Sequence, residues 1–456
     1  MAATPEAFIA ANRFGFGAKE NDLAMISGDH IGWLQAQLDP RYARNAEMEK
    51  LPKALETVLN FRDMQQQRKM DKQAAQNGDA DALAKAKGVM KDLRDDYIRE
   101  AAIRTRVAAL SDAPFFERLV HFWSNHFTVS AIKKQDMPLV AAFERDAIRP
   151  NILGSFEGLL VASTRHPAMQ IYLDNVRSIG PNSRAGESRG KGLNENLARE
   201  IMELHTLGVG SGYTQADVTE FAKMLTGWTV DVQQRGDGSG FFFARMVHEP
   251  GDKKLLGKTY PEDGEGEVLA ALHTFAQSPA TAKFISTKLA RHFIADDPPA
   301  SAVAQLTNAY QRSNGNLMYV YRVLLAMPEV WQNPLPKMKT PNDYIISLVR
   351  AADVDAADAQ MIGAFRTLGQ VPFTAASPAG WSDMGKDWIS AEALLQRIDL
   401  ARNIAKGIYT KTDPMQLLEH TIGPVASGDT KFAVARAGSA ADALALLFAS
   451  PEFQRR

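Results

Sequence analysis

The sequence predicts a mainly α-helical protein: a large multi-helix bundle with a projecting charged helical hairpin and at most one small β-hairpin. Apolar residues recur at three- and four-residue spacing along most of the chain, which is the helical period. Alternation with period two, the mark of a half-buried strand, is nearly absent. Hydrophobic residues make up 45% and charged residues 23% of 456, the ordinary balance of a chain that buries a sizeable core.

The helical pattern starts at Leu23–Leu38 and resumes at Leu110–Phe127, Leu139–Val161 and Leu193–Leu207. It returns at Val268–Phe275, Ala282–Ile294, Ala302–Tyr310, Leu317–Val330, Tyr344–Ala351 and Ala391–Ala405. From Arg62 to Arg106 large apolar residues give way to Gln, Lys, Asp, Arg and Ala, around Asn77-Gly78-Asp79. This reads as two solvated helices joined by a turn, an arm whose alternative use is partner binding. Gly240–Tyr260, with Phe241, Phe242 and Phe243 leading towards Pro250-Gly251-Asp252, reads as one hairpin flap. Two Gly-rich loops, Ser178–Gly192 and Gln233–Gly240, read as flexible lids. The first carries Arg184, Arg189 and Lys191 and runs into a helix, so its alternative reading is an anion-binding loop, although it lacks P-loop spacing.

VLLAMPEVWQ (Val323–Gln332) is echoed by LLFASPEFQ (Leu446–Gln454). Pro334–Pro341 between them marks a boundary, dividing a main helical domain at 1–333, which includes the arm 62–106, from a C-terminal helical region at 334–456 packed on it.

Fifty-two basic against 53 acidic residues leave a net charge of -1, so no bulk field draws the chain to nucleic acid or anionic lipid. With no cysteine there is no thiol nucleophile, disulfide or Cys-ligated metal. No run approaches the ~20 apolar residues of a membrane span, so no membrane insertion is expected. The opening MAATPEAFIAANRFGFGA shows neither a basic start before an apolar run nor twin arginines. As written the chain reads as soluble and cytoplasmic, and as periplasmic if a leader has been trimmed.

Two helices carry the candidate chemistry. In Asp112–Thr128, Phe115, Phe116, Leu119, Val120, Phe122, Trp123 and Phe127 form an apolar arc that includes His126. Glu117, Arg118, His121, Ser124, Asn125 and Thr128 form the polar arc. His121 and His126 stand roughly 140° apart on a straight helix, so they cannot share one metal ion. Glu117 and Asn125, each four residues from His121, suit a carboxylate orienting an imidazole. In Asn194–Gly208, Asn194 is the expected N-cap and Gly208 the stop. Asn196, Glu200 and Glu203 share a strip roughly 60° wide flanked by Arg199, with His205 opposite among apolar residues.

If the two polar strips face one cleft, His121, Glu200 and Glu203 are the catalytic acid–base groups, and Asn125 and Asn196 anchor substrate. The alternative is a solvated face laced by Glu195–Arg199–Glu203 pairs. His126 and His205 are expected as buried structural histidines.

These residues lie in motifs that carry a resemblance: RFGFGA (Arg13–Ala18), HFWSNHF (His121–Phe127), RHPAMQIYLDN (Arg165–Asn175) and NENLAREIMELHTLGVGSGYTQADVTEFAKMLTGWT (Asn194–Thr229). HEPGDKKLLG (His248–Gly257), KLARHFI (Lys288–Ile294) and the Gly380–Arg397 pattern GW…W…L…R complete the set. Together they resemble the bacterial family of domain of unknown function 1800 over nearly the whole chain. The resemblance implies a mainly helical fold, no settled activity, and many exported members whose genes neighbour those of a sulfatase- or phosphatase-like exported family. It adds Arg199, Asp174, Asn175 and His248 as substrate-binding candidates, and no motif covers the arm.

The leading expectation is a hydrolase or lyase acting on a small polar substrate, carbohydrate or envelope-derived. Trp123, Trp228, Trp381 and Trp388 either stack on sugar or belong to the core. No cofactor is expected. One alternative is a metal-dependent hydrolase in which His121 meets His248 or His292, although no HExxH spacing exists. The other is a non-catalytic helical scaffold, a partner of the neighbouring exported enzyme. Haem peroxidase chemistry is a further alternative for a helical protein with buried histidines, although no CxxCH is present and a lone histidine is poor evidence for it.

Overall fold

Short polar–proline pairs set where many helices begin. Thr4-Pro5, His166-Pro167, Ser278-Pro279, Thr340-Pro341, Asp413-Pro414 and Ser450-Pro451 each place a capping side chain before a proline whose missing N–H is no loss in the first turn. The computed structural model describes residues 3–77, 80–133, 136–189, 192–354 and 356–456. Gly78 and Asp79 of the expected arm turn, and Lys191 of the first Gly-rich loop, lie outside them.

Helices dominate the described residues, and the fold is mainly α. The charged segment forms two helices, Ala54–Gln76 and Ala80–Leu110, packed on each other. The second enters the body at its C-terminal end, where Ala101, Ala102, Ala108 and Ala109 are fully buried. Alanine permits that close approach: Ala101 and Ala102 pack in a cluster with Tyr344, Leu348 and Phe365. No described helix is long and apolar enough to cross a membrane.

Two antiparallel two-stranded sheets occur where one hairpin was expected. Phe241–Phe243 turns back to pair with Trp228–Val230, and Lys253–Leu255 pairs with Lys258–Tyr260. The second hairpin turns at Leu256-Gly257, both with positive φ, rather than at Pro250-Gly251-Asp252. Asp217 accepts from the Leu256 N–H at 2.7 Å and holds that residue in its unusual conformation.

The largest core cluster gathers Phe14, Phe115 and Phe293 with Trp331 packed against it; Phe14 lies 5.4–5.5 Å from each ring centroid. Trp123 Nε1 donates to the Tyr321 hydroxyl at 2.6 Å, which donates to the Ile152 carbonyl at 2.9 Å, so these polar tips are satisfied deep inside. A second cluster joins Tyr344, Phe365, Leu444, Leu447 and Phe448 to Phe8. Both copies of the sequence echo are a helix followed by a short Pro-initiated turn. The final residues run beside the segment after Pro334: Lys337 N donates to the Arg456 carbonyl at 3.2 Å and Lys339 N to that of Gln454 at 2.9 Å.

Two helices relax into π turns, Glu144–Ile148 and Ile201–His205. The Asn194–Gly208 segment is therefore not one straight helix: Asn196–Glu200 is α-helical, and the π turn follows. The Thr206 hydroxyl closes it by donating to the Ile201 carbonyl at 2.6 Å. A π turn adds one residue per turn, so a projection at 100° per residue fails beyond Glu200.

Glu117 and Arg149 make a buried bidentate ion pair at 2.7 and 2.8 Å. Replacing Glu117 with Gln leaves an uncompensated buried guanidinium and should destabilise the protein by about 3–5 kcal/mol. Removing the exposed Lys91–Asp95 pair should change stability by less than about 0.5 kcal/mol. Urea midpoints of both variants check this, and equal shifts would contradict it.

Candidate functional site

Eleven of the thirteen residues of the Pro114–His126 helix are buried, including most of its polar arc. Each polar side chain therefore needs a partner from elsewhere in the chain. Glu117 meets Arg149 rather than His121. Arg118 donates through Nε to the Gly15 carbonyl at 2.6 Å and through Nη1 to Asp343 at 3.1 Å. Ser124 donates to Glu144 at 2.7 Å. Asn125 clamps the Trp381 backbone, donating to its carbonyl at 2.9 Å and accepting from its N–H at 2.7 Å.

These contacts bring the helix against His292 and the segment 340–383, around a cavity of about 90 Å³. His121, Asn125, His292, Asn342, Trp381 and Asp383 are on its wall. The Asn342 amide donates to His121 Nδ1 at 3.1 Å, which puts the imidazole proton on Nε2. His292 Nδ1 donates to Asp383 Oδ1 at 2.9 Å, which leaves Nε2 with a lone pair. Both Nε2 atoms are buried and have no hydrogen-bond partner among the described residues.

Burial, then the charges of Arg104, Arg118 and Arg149, lowers His121 well below the ordinary histidine range. Burial lowers His292 to about 4 despite the opposing pull of Asp383. For Asp383, burial favours the neutral acid, but His292, Lys337 and Arg456 outweigh it and hold the carboxyl well below its usual range. Asp343 is likewise held down to about 2, against burial, by Arg118 and Arg456. Near neutral pH the cavity thus holds two uncharged imidazoles beside two carboxylates.

Glu200 and Glu203 are not on this wall. The two helices meet through their histidine faces: His126 Nε2 donates to the His205 carbonyl at 3.0 Å, and the rings lie 6.1 Å apart. Helices packed by those faces cannot also close their opposite flanks over one hollow. Both carboxylates are half-buried, and burial, then the charge of Glu203, raises Glu200. Arg199 pairs with Glu195 at 3.1 Å and donates to Gln215. Asn196 is exposed, and its N–H is capped by Asn194 at 2.9 Å.

Asp174, in the left-handed region at φ 57°, pairs with Lys133 at 3.1 Å. Asn175 is buried and donates to Gln170 and to the Leu225 and Trp228 carbonyls, tying the 165–175 motif to the strand that follows. His248 is buried beside Glu267 at 3.2 Å, which also takes Lys253 at 2.9 Å. His126 and His205 are buried at 2% and 1% exposure; Lys288 donates to His126 Nδ1 at 3.0 Å. Of the two histidines named as partners for His121, the cavity holds His292 and not His248. Among the described residues no three His, Asp or Glu side chains form a metal-holding group.

Sequence reasoning did not single out Asp383, Asn342 or Arg104. His292 and Trp381 sit in the KLARHFI and GW motifs, which was a usable signal; Asp383 lies two residues beyond Trp381. Arg104 lay hidden in a segment whose composition reads as solvent-exposed.

Five buried histidines have lowered pKa values: His121, His126, His166, His205 and His292. A depressed pKa means the unfolded chain binds more protons below about pH 6.5, so stability should fall as pH drops from there towards 4. His166, lowered to about 3 by burial and then Arg145, caps its helix through Nδ1, and Asn can replace that cap. His166→Asn should make the slope of stability against pH shallower by about 1.4 kcal/mol per pH unit in that window. Urea titrations at several pH values test this, and an unchanged slope would refute it.

No curated protein and no solved structure matches the chain. Residues 9–455 match the family described as Protein of unknown function (DUF1800), a span that takes in both walls of the cavity. The chain therefore belongs to the DUF1800 family.

Proposed function

We propose that the protein is a hydrolase or lyase working by histidine acid–base chemistry in the cavity between His121 and His292. The observation that carries this reading is the pair of imidazole Nε2 atoms without protein partners, set by Asn342 and Asp383 to opposite proton states. His292 takes a proton from water or a substrate hydroxyl through its Nε2 lone pair. Asp383 fixes the ring and stabilises the imidazolium that forms. His121 offers its Nε2–H to the oxygen on which negative charge develops. Asn125 is a positioning residue, since both ends of its amide hold Trp381.

Trp381 on the cavity wall, its ring 6.1 Å from that of Trp388, offers an apolar surface beside the polar groups, which suits a carbohydrate or envelope-derived substrate. Glu200 and Glu203 take no part in this reading. The division at 333/334 puts the cavity on the seam between the two regions, a common location for a site.

The test is release of chromophore from a panel of aryl esters and aryl glycosides. His292→Gln and Asp383→Asn should each lower kcat at least about a hundredfold with only a small change in melting temperature. Turnover should fall below about pH 5 on a single acid limb, because His292, lowered to about 4, must be neutral. Glu200→Gln should leave kcat unchanged. Full turnover by His292→Gln would refute the proposal.

A further inference from the structure

The cavity wall carries more hydrogen-bond donors than acid–base chemistry needs. Arg104 reaches it from the Ala80–Leu110 helix, with its Nε bonded to both Glu144 oxygens at 2.9 and 2.7 Å. Its guanidinium lies over the Phe373 ring at 4.8 Å. Anchored through Nε and the ring face, it keeps two Nη nitrogens with no bond to another described residue. Arg118, 1% exposed, is held through Nε by Gly15 and through Nη1 by Asp343, and stacks on Phe16 at 4.4 Å. Its Nη2 is buried and has no hydrogen-bond partner among the described residues. His121 Nε2–H is a further buried donor without a partner among them.

The carboxylates nearby do not consume these donors. Asp343 already receives Arg118 Nη1 and the Arg456 charge at 3.0 Å, and Asp383 receives His292. Buried donors left open cost free energy unless an acceptor arrives. Guanidiniums anchored by Nε and presenting Nη atoms match the oxygens of phosphate, sulfate or carboxylate.

We propose that Arg104 and Arg118, with His121, form an oxyanion-binding subsite, so that the substrate of this cavity carries a phosphate, sulfate or carboxylate group. The proposal rests on the acid–base reading for its link to a substrate, but the binding itself does not depend on turnover. At about 90 Å³ the cavity admits one such group. The bound anion supplies the counter-charge that His121 lacks, and the two equilibria are linked: binding strengthens as His121 takes up a proton, and the His121 pKa rises on binding.

The experiment titrates the full chain with sodium phosphate, sulfate and acetate at constant ionic strength, with chloride as the control. Melting temperature, calorimetry and the histidine ring NMR signals are followed together. At least one of the three oxyanions should raise the melting temperature by several degrees and move the His121 titration upward. Chloride should do neither. Arg104→Lys keeps a cation for Glu144 but removes the Nη fork, and should weaken binding at least tenfold. Arg118→Lys should do the same, so a folding defect in one variant does not decide the matter.

No response of the wild-type protein to any of the three anions would overturn the subsite, as would wild-type affinity in both variants. The two readings fail separately. Oxyanion binding by an active His292→Gln variant would sink the catalytic role of His292 and leave the subsite standing. An inactive His292→Gln variant in a protein indifferent to all three anions would do the reverse.

Discussion

The Pro114–His126 helix is buried over most of its surface, polar arc included, and that constraint organises the molecule around it. A buried helix with an apolar perimeter makes no demands beyond packing. This one carries Glu117, Arg118 and His121, buried away from water, and the half-buried Ser124 and Asn125. Each is held by a distant part of the chain: Glu117 by Arg149, Arg118 by Gly15 and Asp343, His121 by Asn342, Ser124 by Glu144, and Asn125 by the Trp381 backbone. The helix is thus the hub on which the N-terminal turn, the arm and the C-terminal region converge.

Where those partners leave space, the hub leaves unsatisfied groups. Satisfied polar networks give rigidity, whereas incomplete ones are unstable unless a water or ligand completes them. In this cavity the incompleteness has a pattern. The open atoms of His121, Arg104 and Arg118 are donors, and the open atom of His292 is an acceptor. Because the imidazoles are buried among guanidiniums, they stay uncharged near neutrality, and only Asp383 draws His292 towards its protonated form. This pattern of one proton acceptor beside several donors follows from low dielectric and fixed partners rather than from any single motif.

Much of this was legible locally. The 3.6-residue period of Phe115–Phe127, the proline that opens its helix and the polar arc through His121 and Asn125 all reflect near-neighbour geometry. The histidine faces of both helices were legible too, since an imidazole among apolar residues at helical spacing points into the core. What went unread is non-local. The polar strip at Glu200 and Glu203 resembles that at His121 in sequence, yet the His126–His205 contact turns the two strips apart. The π turn after Glu200 also shifts the projection on which that strip was drawn. Arg104 looked solvated because the charged segment it belongs to reads that way, but its own turn is the one at which the arm enters the body.

By itself the sequence determined the helical class, the buried histidines and the membership of His121 and Asn125 in a polar face, because hydrophobic period acts over a few residues. The tertiary structure alone decided that His292, Asp383, Asn342 and Arg104 meet His121 while Glu200 and Glu203 do not. Contacts across 40 to 221 residues depend on which faces of many helices can bury their charges together, and no local pattern encodes that choice.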